Sequence, residues 1–288
     1  MQITPILVPF AGDVARWGAA QGPAAIMQAG LAETLRGHGH AVEEPLEIAF
    51  PRERRTRDPV TNLGVIAAMV SDAVAAAIAE KKMPLVLEGN CTQAVGPTGG
   101  VARACGSAGI VWYDAHGDMH TLRTTGTGLL GGMPYAVCLG WEFPDWREAA
   151  GLASPVRPEA AALIGASDLD PEEEAALAAH PIARLDADAM GADAAARTTA
   201  LLAARAAAAP GWYMHLDLDV AGTEELPGAM TPAPHWPPRA ALVASVAAAA
   251  RAVALRCLGI AAYNPSGDPE RRGARLATDL AVAALGAG

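Results

Sequence analysis

An apolar run, Ile110-Val111-Trp112-Tyr113, leads directly into Asp114-Ala115-His116-Gly117-Asp118. Alternate positions of an extended chain share a face, so Asp114, His116 and Asp118 can converge on one point. Carboxylate oxygens with an imidazole suit Mn2+, Fe2+ or Zn2+ better than Ca2+. A second apolar run, Trp212-Tyr213-Met214-His215-Leu216, ends in Asp217-Leu218-Asp219. Two acids this close disfavour each other's ionised form unless a cation joins them. Each motif alone also fits polar residues solvating a strand end; the pair indicates a metal site. Asp114, Asp118, Asp217 and Asp219 would balance the charge of about two divalent cations, which in two-metal hydrolases activate a shared water near neutral pH. The hydroxide so formed attacks the trigonal carbon of an amide or amidine. His215 shares the face of Asp217 by the same alternation and lines the pocket floor.

The elements that must position these groups alternate along the whole chain. Ile3–Val8, Pro84–Leu87, Gly109–Tyr113, Ala136–Leu139, Ala161–Ile164, Trp212–Leu218 and Leu258–Ala262 read as strands. Several lack polar alternation, as strands buried on both faces do. Between them, Ala24–His38, Val65–Lys81, Pro171–Ala179, Asp193–Ala208, Arg239–Arg256 and Thr278–Leu285 read as helices. This order predicts an α/β fold of three layers, α/β/α, around a mainly parallel sheet. No linker or fixed-period repeat divides residues 1–288, so a single domain is expected. In open parallel sheets ligands gather beyond the carboxyl ends of the strands, where both acidic motifs fall.

Composition narrows the partners. The chain has 31 Asp+Glu against 21 Lys+Arg, a net charge of −10, which argues against nucleic acid. The basic stretch Arg52–Arg57 is interleaved with acid and reads as a solvated loop. Hydrophobic residues make up 52% but aromatics only 5%, so alanine-rich helices carry much of the core. Ala240–Leu255, read as the most apolar long window, contains Ser245 and Arg251 and is too short to span a bilayer. The first residues show no basic region or cleavage signal, and the four cysteines show no CxxC pairing, so a reducing, cytoplasmic location is expected. His38 and His40, flanking Gly39 at a helix end, read as surface residues or caps, and His180 and His235 as loop residues.

Asp114-Ala-His116-Gly-Asp118, with Asp217-Leu-Asp219 followed by Pro227-Gly-Ala-Met-Thr231-Pro232, resembles the ureohydrolase superfamily of arginases and agmatinases. The likeness extends to Gly89–Gly96, Gly132-Met-Pro134, Gly165–Glu173 and Tyr263-Asn-Pro265 followed by Asp268. It implies an arginase-like α/β/α fold, hydrolysis of a small guanidino or amidine substrate, a binuclear manganese centre and a homo-oligomer, trimer or hexamer. By the same resemblance Asp114 and Asp217 would bridge two metals. Asp118 and Cys91 would complete one ion, and His116 and Asp219 the other. Asp118 would protonate the departing amine. Asp170 and Glu173 match acids that grip a substrate α-amino group. Thr127 matches a hydroxyl near the substrate carboxylate, and Thr231 one near the guanidino group.

Four departures qualify the resemblance. Cys91 stands where the family's first metal histidine is expected: either a thiolate ligand, with a pKa lowered beside a cation, or a cysteine that merely packs. In the second case the site resembles mononuclear zinc deacetylases of the same fold, using Asp114, His116 and Asp217. Gly131 replaces a proton-shuttle histidine; His120 is either its substitute as a proton carrier or an ordinary loop residue. Ala262 replaces a glutamate that pairs with guanidinium. Gly222 replaces the aspartate that usually follows the second acidic motif. A cysteine at the first-histidine position also marks the branch that hydrolyses Nω-hydroxy-arginine to ornithine and hydroxyurea. That substrate, or a related modified guanidine, is therefore expected. A non-catalytic homologue with an eroded pocket and a mononuclear zinc enzyme acting on an amide are the alternatives.

Overall fold

The computed structural model describes residues 1–15 and 18–286. In chain order the strands are β1 (Gln2–Val8), β2 (Phe10–Ala11), β3 (Val14–Ala15), β4 (Ala41–Val42), β5 (Leu46–Glu47), β6 (Met83–Glu88), β7 (Gly109–Tyr113), β8 (Ala161–Ile164), β9 (Ala183–Leu185), β10 (Trp212–Asp217) and β11 (Leu255–Ala261). The helices are α1 (Gly22–Gln28), α2 (Leu31–Gly37), α3 (Pro59–Ala79), α4 (Val95–Cys105), α5 (Pro134–Cys138), α6 (Pro144–Ala149), α7 (Pro171–Ala179), α8 (Ala194–Ala203), α9 (Arg239–Ala252) and α10 (Arg272–Leu285).

The buried strands lie side by side in one sheet with short strands at its edges, in the order β4-β1-β6-β11-β10-β7-β8-β9, with β5 also on β1. Every pairing in it is parallel, and β2 and β3 form a separate antiparallel hairpin. α3, α4 and α6 pack together on one face; α8, α9 and α10 pack together on the other. The result is the three-layer α/β/α arrangement expected. β10 lies between β7 and β11, so the strands that end in Asp217 and lead into Asp114 are neighbours.

Where expectation and structure part, local physics explains it. The run Ala136–Leu139 is not a strand: Pro134 opens α5, which covers this stretch through Cys138. Proline suits a helix's first turn, and a four-residue apolar run has no periodicity to decide between the two states. The single helix expected over Ala24–His38 is two, because Gly30 takes φ of 99° between α1 and α2. α9 stops at Ala252 because Leu255 already pairs in β11. α4 was not foreseen, since Gly96, Pro97, Gly99 and Gly100 discourage a helix in isolation. A Cβ on Gly99 would lie 2.1 Å from the Ala150 carbonyl oxygen, so glycine lets α4 approach α6 closely.

α3 starts earlier than expected because Asp58 caps it, accepting from the amides of Val60 and Thr61, with Pro59 at its first position. Its 21 residues are long and apolar enough to cross a membrane by length and composition. The most apolar long segment is thus here, not at Ala240–Leu255. In the fold, its buried side, including Leu63, Ile66, Val70 and Val74, packs toward α4 and the sheet.

Candidate metal centre

β6, β7 and β10 end at the same edge of the sheet, and each hands over a chemically loaded residue. Asp114 follows β7, with its amide fixed by the Ile164 carbonyl of β8. Asp217 closes β10, and its Oδ1 accepts from the Asp219 amide at 2.8 Å. That bond folds the next three residues into a tight turn and swings Asp219 back toward Asp114. Cys91 opens the turn after β6. Asp118 takes φ of 52°, a strained backbone for a residue with a Cβ. Its carbonyl is held by the Tyr135 and Ala136 amides of α5.

The acids are deeply buried: Asp114 1%, Asp118 6%, Asp217 3% and Asp219 5% exposed. One ligand atom from each of Cys91, Asp114, His215 and Asp217 lies within 4.8 Å of the others, and the same holds for Asp114, His116 and Asp219. Asp114 belongs to both groups. Asp118 joins neither at that spacing, yet its Oδ2 is buried with no hydrogen-bond partner. Thr231 Oγ1 donates to Asp219 Oδ2 at 3.2 Å, so its loop reaches the same place.

Electrostatics describes a site built for cations. Burial, then Asp219, lifts the Asp217 carboxyl to about 7. Burial, then Asp114, raises Asp118 well above the carboxylate range. Asp114 and Asp219 rise for the same two reasons, burial first and a neighbouring acid second. Burial opposes an imidazolium at His116, but hydrogen bonds to Asp114 and Asp219 prevail and push it up to about 12. The Cys91 thiol is raised by burial, then by Asp217, Asp118 and Asp114. Four mutually repelling acids and an orphaned carboxylate oxygen are what divalent cations relieve, so this donor set fits a metal pair.

A second cluster lies beyond the first. His120 Nε2 is 2.9 Å from Asp170 Oδ2 and 4.0 Å from Glu173 Oε1. Asp170 is exposed and caps α7, available to a ligand. Glu173 is engaged otherwise: its oxygens accept from the Met119 amide at 3.1 Å and the Asp170 amide at 3.2 Å. It therefore fixes the loop after Asp118 to α7 instead of facing solvent. Thr127 sits on an exposed loop and its hydroxyl bonds only locally, accepting from the Leu129 amide at 3.2 Å.

Two departures acquire a physical setting. A Cβ on Gly222 would lie 2.1 Å from the Trp236 indole, which fills the space an aspartate side chain would need. A Cβ on Gly131 would meet only Asn90 Nδ2, at 3.7 Å, so the missing histidine leaves open room.

The sequence reading did not single out Glu88, Tyr213 or Asp168, or assign His215 to the metal site. Asp168 Oδ2 lies 3.9 Å from His116 Nε2. Glu88 (1% exposed), Tyr213 and His215 (both 0%) form a buried polar cluster beside Cys91. An acid closing an apolar strand, and a histidine two residues before Asp217, were the available signals.

A parallel α/β/α sheet carrying a buried Asp/His cluster at its strand ends defines a metallohydrolase. The arginase family model matches residues 2–286. The chain is 34% identical over 239 residues to an arginase of Bacillus subtilis (strain 168), covering 80% of this chain and 79% of the relative. It is 30% identical over 245 residues to the arginase of Bacillus caldovelox, with 80% of each covered. The crystal structure of an arginase from Bacillus cereus superposes with a TM-score of 0.88 at 28% identity over 99% of both chains. The chain belongs to the arginase family and is a metal-dependent amidinohydrolase.

Proposed function

We propose that this enzyme hydrolyses the guanidino C–N bond of Nω-hydroxy-L-arginine or a closely related modified guanidine. The observation that carries this reading is Ala262. It adjoins the turn bearing Cys91, its amide donating to the Gly89 carbonyl at 3.3 Å, and it offers no carboxylate where the resemblance leads one to expect glutamate. A fully basic guanidinium would lose its ion-pair partner there. An oxygen on the terminal nitrogen withdraws electrons and lowers basicity, so the missing acid matters less.

Asp114, Asp217, Asp118, Cys91, His116 and Asp219 would hold two divalent cations, manganese first and zinc second. When bound, the cations supply Lewis acidity that activates water toward a trigonal carbon. Asp118 holds a proton at its unpartnered Oδ2 and passes it to the departing amine of ornithine, while water's oxygen stays on the hydroxyurea carbon. Thr231, tied to Asp219, orients the guanidino end. Asp170, with His120 against it, meets the α-amino end. Glu173 braces that pair, and Thr127 meets the substrate carboxylate from its loop. A single-zinc amide hydrolase is the second reading, favoured by the soft sulfur of Cys91 among the donors.

Manganese-loaded protein is incubated with arginine, Nω-hydroxy-arginine, agmatine and 4-guanidinobutyrate, and ornithine, hydroxyurea and urea are measured. Hydroxy-arginine is expected to turn over fastest. Ornithine from neither amino acid, with both metals verified, overturns the proposal.

A further inference from the structure

The centre contains one more imidazole than the sequence pattern assigned to the metals. His215 lies on β10 in register with Trp112 of β7 and Gly259 of β11. A Cβ on Gly259 would sit 2.2 Å from Tyr213 Oη and 2.7 Å from Glu88 Oε1, so a bare backbone there makes room for both groups. Tyr213 Oη donates to Glu88 Oε1 at 2.7 Å. His215 Nδ1 lies 2.9 Å from that hydroxyl and 3.3 Å from Glu88 Oε2. With the tyrosine O–H donated to Glu88, the tyrosine oxygen is free to accept from Nδ1–H. The other ring nitrogen, Nε2, is fully buried and has no hydrogen-bond partner, and once a cation replaces its proton it presents a lone pair there. Most buried polar side-chain atoms find a partner, so an orphaned ring nitrogen calls for an explanation. His40 Nδ1 is orphaned too, but among the described residues it stands in no cluster of metal-competent groups. This one has a partnerless nitrogen in a ring that stands among Cys91, Asp114 and Asp217, ligand atoms within 4.8 Å of one another.

We propose that His215 Nε2 ligates a divalent transition-metal cation together with Cys91, Asp114 and Asp217. Glu88 and Tyr213 are positioning residues that hold Nδ1 protonated and aim Nε2, as carboxylates do behind metal-bound histidines. The imidazole expected on the turn after β6 is thereby supplied from β10, and Cys91 adds sulfur beside it. A thiolate and an imidazole make this the softer of the two metal positions. The inference rests on the two-metal reading above but not on the choice of substrate.

The test uses the full chain with its histidines labelled by spin-active nitrogen and its metal sites filled with spin-active cadmium. Scalar coupling between cadmium and histidine nitrogen reports ligation directly. Two coupled histidines are expected, one signal disappearing in His215→Gln and the other in His116→Gln. Glu88→Gln is expected to weaken one of the two metal equivalents about 10- to 100-fold. Coupling in the unmutated protein to His116 alone, with both equivalents bound, overturns the proposal and needs no variant to fold. Unchanged metal affinity in a folded Glu88→Gln protein overturns the positioning role. Coupling to His215 in a protein that hydrolyses no guanidine leaves this inference standing and removes the substrate reading.

Discussion

Cys91 Sγ and Asp217 Oδ2 lie 2.7 Å apart, the thiol donating to the carboxylate across the ends of β6 and β10. A cysteine that only filled space would not need an acid at that distance. Without metal, burial and three neighbouring acids keep the sulfur protonated. A cation reverses the sign of that field and favours the thiolate. Cys91→Ala is expected to lose one of the two metal equivalents. In cobalt-loaded protein, the sulfur-to-metal charge-transfer absorption should vanish with it. Cys91→His should retain the metals and shift preference toward arginine. Identical metal content and preference in all three proteins would assign Cys91 to packing.

The acidic cluster gives metal-free protein a defined pH response. Folded Asp217 holds its proton to about 7, whereas an unperturbed carboxyl releases it near 3.8. Between these values the native state binds more protons than the unfolded chain, so unfolding free energy falls as pH rises. His116, protonated up to about 12 when folded against an ordinary 6.5, acts in the same direction at higher pH. The melting temperature of chelator-treated protein is therefore expected to fall from about pH 5 to about pH 8. Metal loading should remove that slope, because cations replace the protons. A melting temperature that climbs across the range without metal contradicts this description.

Asp170 and Glu173 should separate in mutagenesis. Asp170 is exposed beside His120, so if it grips the substrate amine as proposed, Asp170→Asn removes a charge-assisted contact worth ~1.5–3 kcal/mol. KM for an α-amino acid substrate should rise about tenfold or more, with kcat little changed. Glu173 braces the Met119 amide with one carboxylate oxygen and the Asp170 amide at the start of α7 with the other. Glu173→Gln, which keeps a single acceptor, should therefore lower the melting temperature by losing one buried bond worth ~1 kcal/mol. Steady-state kinetics and thermal melts on both variants decide. Equal KM effects with no melting shift would return Glu173 to direct substrate contact.

Gly222 is held as glycine by its neighbour. Gly222→Ala places a methyl group against the Trp236 indole and should cost ~1–3 kcal/mol through overpacking. Trimming the neighbour in Gly222→Ala/Trp236→Ala should recover part of that loss. An alanine variant as stable as the original, by denaturant unfolding, would show that Trp236 moves aside freely.

The sequence was most legible where a strand and its chemistry are continuous. Gly109–Tyr113 is an unbroken apolar run, and Asp114, His116 and Asp118 follow it at fixed spacing. The three-layer order followed from the same alternation of apolar runs and alanine-rich segments. The Ala136–Leu139 stretch misled because four apolar residues have no period, and α4 stayed hidden because its glycines serve a neighbouring helix. Glu88, Tyr213 and His215 were illegible as a unit: their meeting depends on the register of β6, β11 and β10, which no local spacing encodes. Thr127 lies on a loop where neither period nor pairing fixes the side chain. Glu173 was legible as an acid of the site, but its bond to the Met119 amide is long-range.

The decisive measurement is a metal count on protein purified without chelator and then saturated with Mn2+ or Zn2+ in parallel. About two divalent ions per chain, with manganese supporting amidine hydrolysis, is the expected result. A single zinc per chain, with manganese failing to add a second ion, would contradict a binuclear centre assembled around Cys91 and Asp217.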